Sequence, residues 1–335
     1  MSVKYLRPID PHVHLRGEEY SNHEFLDIGF RDAQNVGLVA MLEQPNPTPW
    51  LTNKDAIEKR LQQTRRYDDL GIKHGIHIGL TNDLSQVEEA LKLVMDRKHG
   101  MVSDKTFYVH STGDMGILDH GIQKIIWELK GKMKYDGVSI GHFEDEKLFS
   151  GYFDYKEPES HSRRQNSISE VVQVEKQIRN ARDTGFQGTF YIAHVSFYET
   201  VEFIEREKNK LPFDVVKEVT FHHMFLNHDD YEIHGNRVKM NPPLRSKKVQ
   251  EQLLEYVLQG KLDVIGTDHA PHPVDRKDSD LPPSGIPALP FWPKGIELLR
   301  REGINEELLE NLIFHNANKI FKLGLPPEFV DGGYN

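Results

Sequence analysis

The chain has 335 residues, of which 37% are hydrophobic and 10% aromatic, enough apolar material for a sizeable core and too much for a disordered polypeptide. A balance of 42 basic against 52 acidic residues gives a net charge of −10, which argues against nucleic acid as a main partner but leaves room for a small anion held by local positive charge. Cysteine is absent, which excludes disulfides, thiolate metal ligands and a cysteine nucleophile. No apolar stretch has the length of a signal peptide or a membrane span, so a soluble cytoplasmic protein without a membrane partner is expected.

Taken in order, short apolar or β-branched runs fall at 6–15, 36–44, 73–80, 106–110, 137–142, 189–195, 218–222 and 262–267. Each ends in polar residues, often of metal-ligand type. Helical spacing separates them, clearest at Ile57 and Leu61, at Val87, Ala90, Leu91 and Val94, at Ile122, Ile126 and Leu129, and at Ile168, Val171, Val172 and Ile178. Eight strands alternating with helices predict an α/β fold, a (β/α)8 barrel. It is preferred over a doubly wound open sheet because a barrel brings all the carboxyl strand ends to one place. Segments 143–166 and 272–290 read as loops. In the second, Pro273, Pro282, Pro283, Pro287 and Pro290 break regular structure, and the loop has the length of a lid. Helices are predicted at 293–302, 306–314 and 317–323, and the tail 324–335 has little to order it. Residues 1–335 are read as one domain.

The strand ends carry the chemistry. In Ile-Asp-Pro-His-Val-His-Leu-Arg, residues 9–16, His12 and His14 are one residue apart, so on a strand both imidazoles face the same side. That is half of a site for zinc or a similar metal. Pro45, Pro47 and Pro49 fix the backbone around Asn46. Lys105 opens the run Lys-Thr-Phe-Tyr-Val, where an ammonium inside a metal site is costly unless neutralised or modified. His142 and His194 end two further runs, and Asp268 follows the last, with His272 close behind. Each residue alone is ordinary. Together, imidazoles from three strands and a carboxylate from a fourth match what a pair of divalent cations needs, and two such cations sharing a hydroxide supply a nucleophile at neutral pH. The residues alone point to a metal-dependent hydrolase.

Between about residues 9 and 323 the chain resembles the dihydroorotases of the amidohydrolase superfamily. Seven ordered motifs carry the resemblance: Asp-Pro-His-Val-His-Leu-Arg at 10–16, Gln-Pro-Asn-Pro-Thr-Pro at 44–49, Gly-His-Phe-Glu-Asp at 141–145, Ile-Ala-His-Val-Ser at 192–196, Phe-His-His-Met-Phe-Leu at 221–226, Met-Asn-Pro-Pro-Leu-Arg-Ser at 240–246 and Gly-Thr-Asp-His-Ala-Pro-His at 266–272. The resemblance implies two zinc ions and the reversible cyclisation of N-carbamoyl-L-aspartate to L-dihydroorotate in pyrimidine biosynthesis. Carried over, it assigns His12, His14 and Asp268 to the more buried metal and His142 and His194 to the second. A carboxylated Lys105 bridges them, with Asp114 as the rival bridge. Arg16, Asn46 and His272 would bind the non-reacting carboxylate, Asn241 and Thr112 are further substrate-binding residues, and the Thr112 loop corresponds to the family's mobile loop. Asp268 would also carry the proton between water and the departing amide nitrogen.

There are departures. The usual Arg-Glu-Pro-Gly after the histidine pair is replaced by Arg16-Gly17-Glu18-Glu19, and residues 284–290 lack the common Gly-Leu-Glu. The accessory β-sandwich of many relatives is expected to be absent. Two rival readings remain: a related cyclic amidase of dihydropyrimidinase, hydantoinase or allantoinase type, and an inactive dihydroorotase-like binding subunit. A homodimer and association with aspartate transcarbamoylase are left open.

Overall fold

All eight predicted strands are present in the computed structural model, which describes residues 4–17, 24–97, 100–110 and 115–331. A short strand β1 (Lys4–Leu6) precedes them. Then β2 (Ile9–Val13), β3 (Ala40–Glu43), β4 (Lys73–Gly79), β5 (Met101–Phe107), β6 (Val138–His142), β7 (Thr189–Ile192), β8 (Asp214–Thr220) and β9 (Val264–Gly266) pair in that order, every neighbour parallel. The ring closes where Val13 bridges His269 in parallel, with His14 N donating to His269 O at 2.7 Å. The fold is a (β/α)8 barrel.

Strands β2, β3 and β6 are buried at every residue, as expected for parallel strands covered by helices on one side and by barrel-filling side chains on the other. The helices present the periodic faces read from the sequence. Leu84–Asp96, for example, buries Val87, Ala90, Leu91 and Val94. Asn53, Asp83 and Asp119 cap three helices by accepting first-turn N–H groups, each worth about 1 kcal/mol. The helix His120–Lys132 reaches its neighbour through Gly131, where a Cβ would meet Thr184 O at 1.9 Å. Only glycine fits there.

Several boundaries differ from expectation. The strand predicted at 106–110 is β5, so Lys105 stands near its carboxyl end and not at its start. Polar Ser103 and Asp104 hide the strand in sequence; Ser103 Oγ meets His77 Nδ1 of the neighbouring strand at 2.6 Å, and on the other face Asp104 accepts from Lys130 Nζ of the helix His120–Lys132 at 2.8 Å. The run 218–222 is likewise the end of β8, and His222 falls on the short helix Phe221–Phe225. The proline loop holds one regular turn, Val274–Lys277, because Pro273 stands just ahead of it, where a missing N–H costs nothing. The tail is more ordered than expected. Phe329–Asp331 forms β10, antiparallel to β1 from Lys4–Asp331 to Leu6–Phe329. Among the described residues there is no further sheet, and no helix is long and apolar enough to cross a membrane.

Candidate active site

Carboxyl ends of different strands deliver the predicted ligands to one place. The Nε2 atoms of His12 and His14 lie 3.3 and 3.0 Å from Asp268 Oδ1, and one ligand atom from each residue falls within 4.8 Å of the others. These three form a candidate metal site. The His194 ring is centred 5.3 Å from that of His12 and 4.4 Å from that of His142. Lys105 is fully buried, its Nζ has no hydrogen-bond partner among the described residues, and Phe107 lies beneath it with the ring centre at 5.1 Å. Burial pushes its pKa down to about 8, against the pull of Glu218 and Asp268. Asp114 and Thr112 lie outside the described residues.

Neighbouring acceptors orient the imidazoles. His12 Nδ1 meets Glu218 Oε1 at 2.8 Å, His14 Nδ1 meets Asn46 Oδ1 at 2.6 Å, and His142 Nε2 meets Glu144 Oε2 at 2.8 Å. A neutral ring that donates from one nitrogen leaves a lone pair on the other. Burial drives His14 down to about 4 and His194 well below the usual range, so both rings are neutral. Burial raises the Asp268 carboxyl, but His12, His14 and His194 outweigh it and hold the group well below the usual carboxylate range. His194 Nδ1 is buried and has no partner among the described residues. Lone-pair imidazoles, an ionised carboxylate and two orphaned buried nitrogens fit divalent cations better than they fit one another.

Beside this cluster lies a small, partly open cavity lined by Arg16, Asn46, Asn241, Asp268, Ser284 and Gly285, among others. Arg16 Nε donates to Pro271 O at 2.9 Å. His272 Nε2 is 2.9 Å from both Arg16 Nη2 and Ser284 O; a single ring nitrogen serves one of them at a time. Asn241 Oδ1 is approached by His161 Nε2 at 2.8 Å and by Ser284 Oγ at 3.1 Å. Three residues at the mouth have left-handed backbone: Arg16 at φ 60°, His194 at 38° and Asp268 at 48°.

The sequence reading missed the residues that hold these in place. Glu218 serves three groups at once, accepting from His194 N at 3.0 Å and Tyr191 OH at 2.7 Å besides His12. Its signal was a carboxylate inside an apolar strand. Glu43, at the end of β3, grips Arg60 through Nε at 3.1 and 3.0 Å, and Arg60 Nη2 donates to Arg16 O at 2.6 Å. His222 is buried, and neither ring nitrogen has a partner among the described residues.

No family model matches the chain. Individual proteins do. A dihydroorotase of Halobacterium salinarum is 30% identical over 284 residues, 84% of this chain and 63% of that protein. One of Methanosarcina acetivorans is 29% identical over 297 residues, covering 84% and 60%. The first relatives the chain matches, archaeal and bacterial, are named dihydroorotases. The chain spans about three-fifths of the length of these first relatives. Among solved structures, an L-hydantoinase (dihydropyrimidinase) of Arthrobacter aurescens superposes with TM-score 0.81 at 20% identity, over 96% of this chain and 72% of that one. A Saccharomyces cerevisiae dihydroorotase in complex with 5-fluoroorotic acid gives 0.77 at 16%, over 96% and 86%. These two likenesses show the barrel fold.

Proposed function

We propose that the chain is a dihydroorotase, interconverting N-carbamoyl-L-aspartate and L-dihydroorotate as a one-domain cytoplasmic enzyme with small-molecule partners. The observation that carries this is one cluster: four histidines, Asp268 and an unpartnered buried Lys105, opening onto a cavity that presents Arg16 and two asparagines. His12, His14 and Asp268 would hold one zinc ion, His142 and His194 a second, and a carboxylated Lys105 would bridge the two. Zinc, when bound, supplies carbonyl polarisation and a water that ionises near neutral pH.

The chain's own residues do the rest. Arg16 turns its fork to the carboxylate that does not react, with Asn46 and His272 beside it and Asn241 lining the same cavity. In ring opening the amide C–N bond breaks and a C–O bond forms. Asp268 takes the proton of the attacking water and delivers it to the departing nitrogen. Cyclisation retraces those steps. Asn46 has a double duty, since its carbonyl oxygen also holds His14.

The test is the ratio of catalytic efficiencies for dihydroorotate and dihydrouracil, which lacks the carboxylate. An unpaired buried fork costs on the order of 2–5 kcal/mol, roughly one and a half to nearly four decades. Wild type should reject dihydrouracil by that margin, and Arg16→Met should erase most of the preference. Comparable wild-type use of both substrates, or a ratio that Arg16→Met leaves untouched, moves the reading to a dihydropyrimidinase-like amidase.

A further inference from the structure

Two separate segments, 239–241 and 283–285, bring Asn241, Ser284 and Gly285 to the cavity, and a single buried side chain ties them together. Lys277 is 5% exposed. Its Nζ donates to Lys239 O at 2.9 Å, Pro283 O at 3.0 Å and Gly285 O at 2.9 Å. Among the described residues no carboxylate pairs with it, so carbonyl dipoles alone compensate the charge. Burial first, then Lys239 and Arg16, push its pKa down to about 7. An aliphatic side chain would fill the same space without that desolvation cost. The ammonium therefore calls for a reason other than packing.

Its three acceptors supply one. Gly285 N also donates to Lys239 O at 2.9 Å, so the two segments meet at the carbonyl that Lys277 holds. Beyond it, Lys239 Nζ donates to Ser284 Oγ at 2.7 Å, and Ser284 Oγ to Asn241 Oδ1 at 3.1 Å. Gly285 is pressed against Ala270 so closely that a Cβ would lie 2.4 Å from Ala270 O, and its φ of 136° admits little but glycine. Ala270 N donates to Ile286 O at 2.8 Å, fastening the loop to the strand end that carries Asp268. Asn241, Ser284 and Gly285 all face the cavity.

We propose that Lys277 is a positioning residue for substrate, its ammonium fixing the wall of Asn241, Ser284 and Gly285 against which the non-reacting carboxylate is held. The proposal rests on the dihydroorotase reading for the identity of that substrate. It explains how the loop is set although residues 284–290 lack the relatives' usual Gly-Leu-Glu.

Two variants and two readouts test it. Lys277→Met removes every donor, whereas Lys277→Gln keeps two amide hydrogens without the charge. Lys277→Met should raise KM for dihydroorotate about tenfold while kcat stays within about twofold, the signature of lost binding shared by ground and transition states. Lys277→Gln should fall between wild type and Lys277→Met. Hydrogen–deuterium exchange on the same proteins should show faster exchange at Gly285, with the β6 and β7 amides unchanged. An unchanged KM, or a loss confined to kcat, overturns the positioning role. Unchanged exchange at Gly285 overturns the tie itself. If wild type turns over neither dihydroorotate nor N-carbamoyl-aspartate, the functional reading fails, and the exchange comparison still decides whether Lys277 joins the two segments.

Discussion

Lys105 and Lys130 are both completely buried, yet their surroundings differ. Lys130 Nζ has Asp104 at 2.8 Å and the Ser139 hydroxyl beside it. Among the described residues Lys105 has no hydrogen-bond partner. Leaving an ammonium in that position is costly, so the amine gives up its proton more readily than an ordinary lysine, and the uncharged form is the one that adds carbon dioxide to give an anionic carbamate. Lys105→Ala should therefore lose more than about 100-fold in turnover, beyond the 10–100-fold typical when an outer hydrogen-bond partner of a metal ligand is lost. Short carboxylic acids added to the variant should restore part of it; a variant indifferent to acetate and propionate would count against a carbamate at this position. Glu218 belongs to that outer class. Because it orients His12 and the His194 backbone, Glu218→Gln should weaken zinc affinity by about 10–100-fold, read by competition with a chromophoric chelator.

Among elements, the connection of β3 to the helix Lys54–Thr64 and to β4 carries a buried ion-pair cluster of Glu43, Arg60 and His74. Burial raises the Glu43 carboxyl, but Arg60 and His74 override it and hold the pKa at about 2, from an ordinary 4.5. A depressed folded-state pKa means the stabilisation is complete above about 4.5 and is lost as pH falls from there toward 2. The amount is on the order of 3 kcal/mol. Urea midpoints of wild type and Glu43→Gln should differ at pH 6 and converge as pH drops through that window. Arg60→Met should be worse than either, by about 3–5 kcal/mol, because it strands a buried carboxylate. It should also loosen Arg16, whose carbonyl Arg60 holds. This clamp was not legible in the sequence, although the ligands were. His12, His14, His142, His194 and Asp268 each end an apolar run, and that pattern is local. Glu43 and Arg60 are 17 residues apart, and Ser103 and Asp104 find His77 and Lys130 each at a separation of 26. Buried polar residues on a strand look like loop until their distant partners are known. The strand at Phe329–Asp331 was hidden for a related reason: backbone pairing with β1 orders it, not an apolar pattern of its own.

At the scale of the whole molecule, the eight-strand alternation was read correctly because each βα unit repeats the same short pattern, and the resemblance carried by seven motifs agrees with the curated relatives. If the cluster binds zinc, ligation is linked to folding. Chelated protein should melt lower, and zinc at about 100 times its Kd should restore about 2.7 kcal/mol, seen as a rise in Tm by calorimetry. His12→Ala should show a smaller rise than wild type when the metal is restored. The left-handed backbone at Arg16, His194 and Asp268 bears on a different matter, the portability of the site. Each such non-glycine residue costs roughly 1–3 kcal/mol, and each bends the chain where it leaves the barrel, so the direction of the side chain is written in the main chain beneath it. An engineer who grafts the same side chains onto another eight-stranded barrel, on ordinary extended strand ends, should obtain a protein that folds, ligates zinc weakly and turns nothing over. Copying those three backbone conformations along with the side chains is the smallest transplant expected to work.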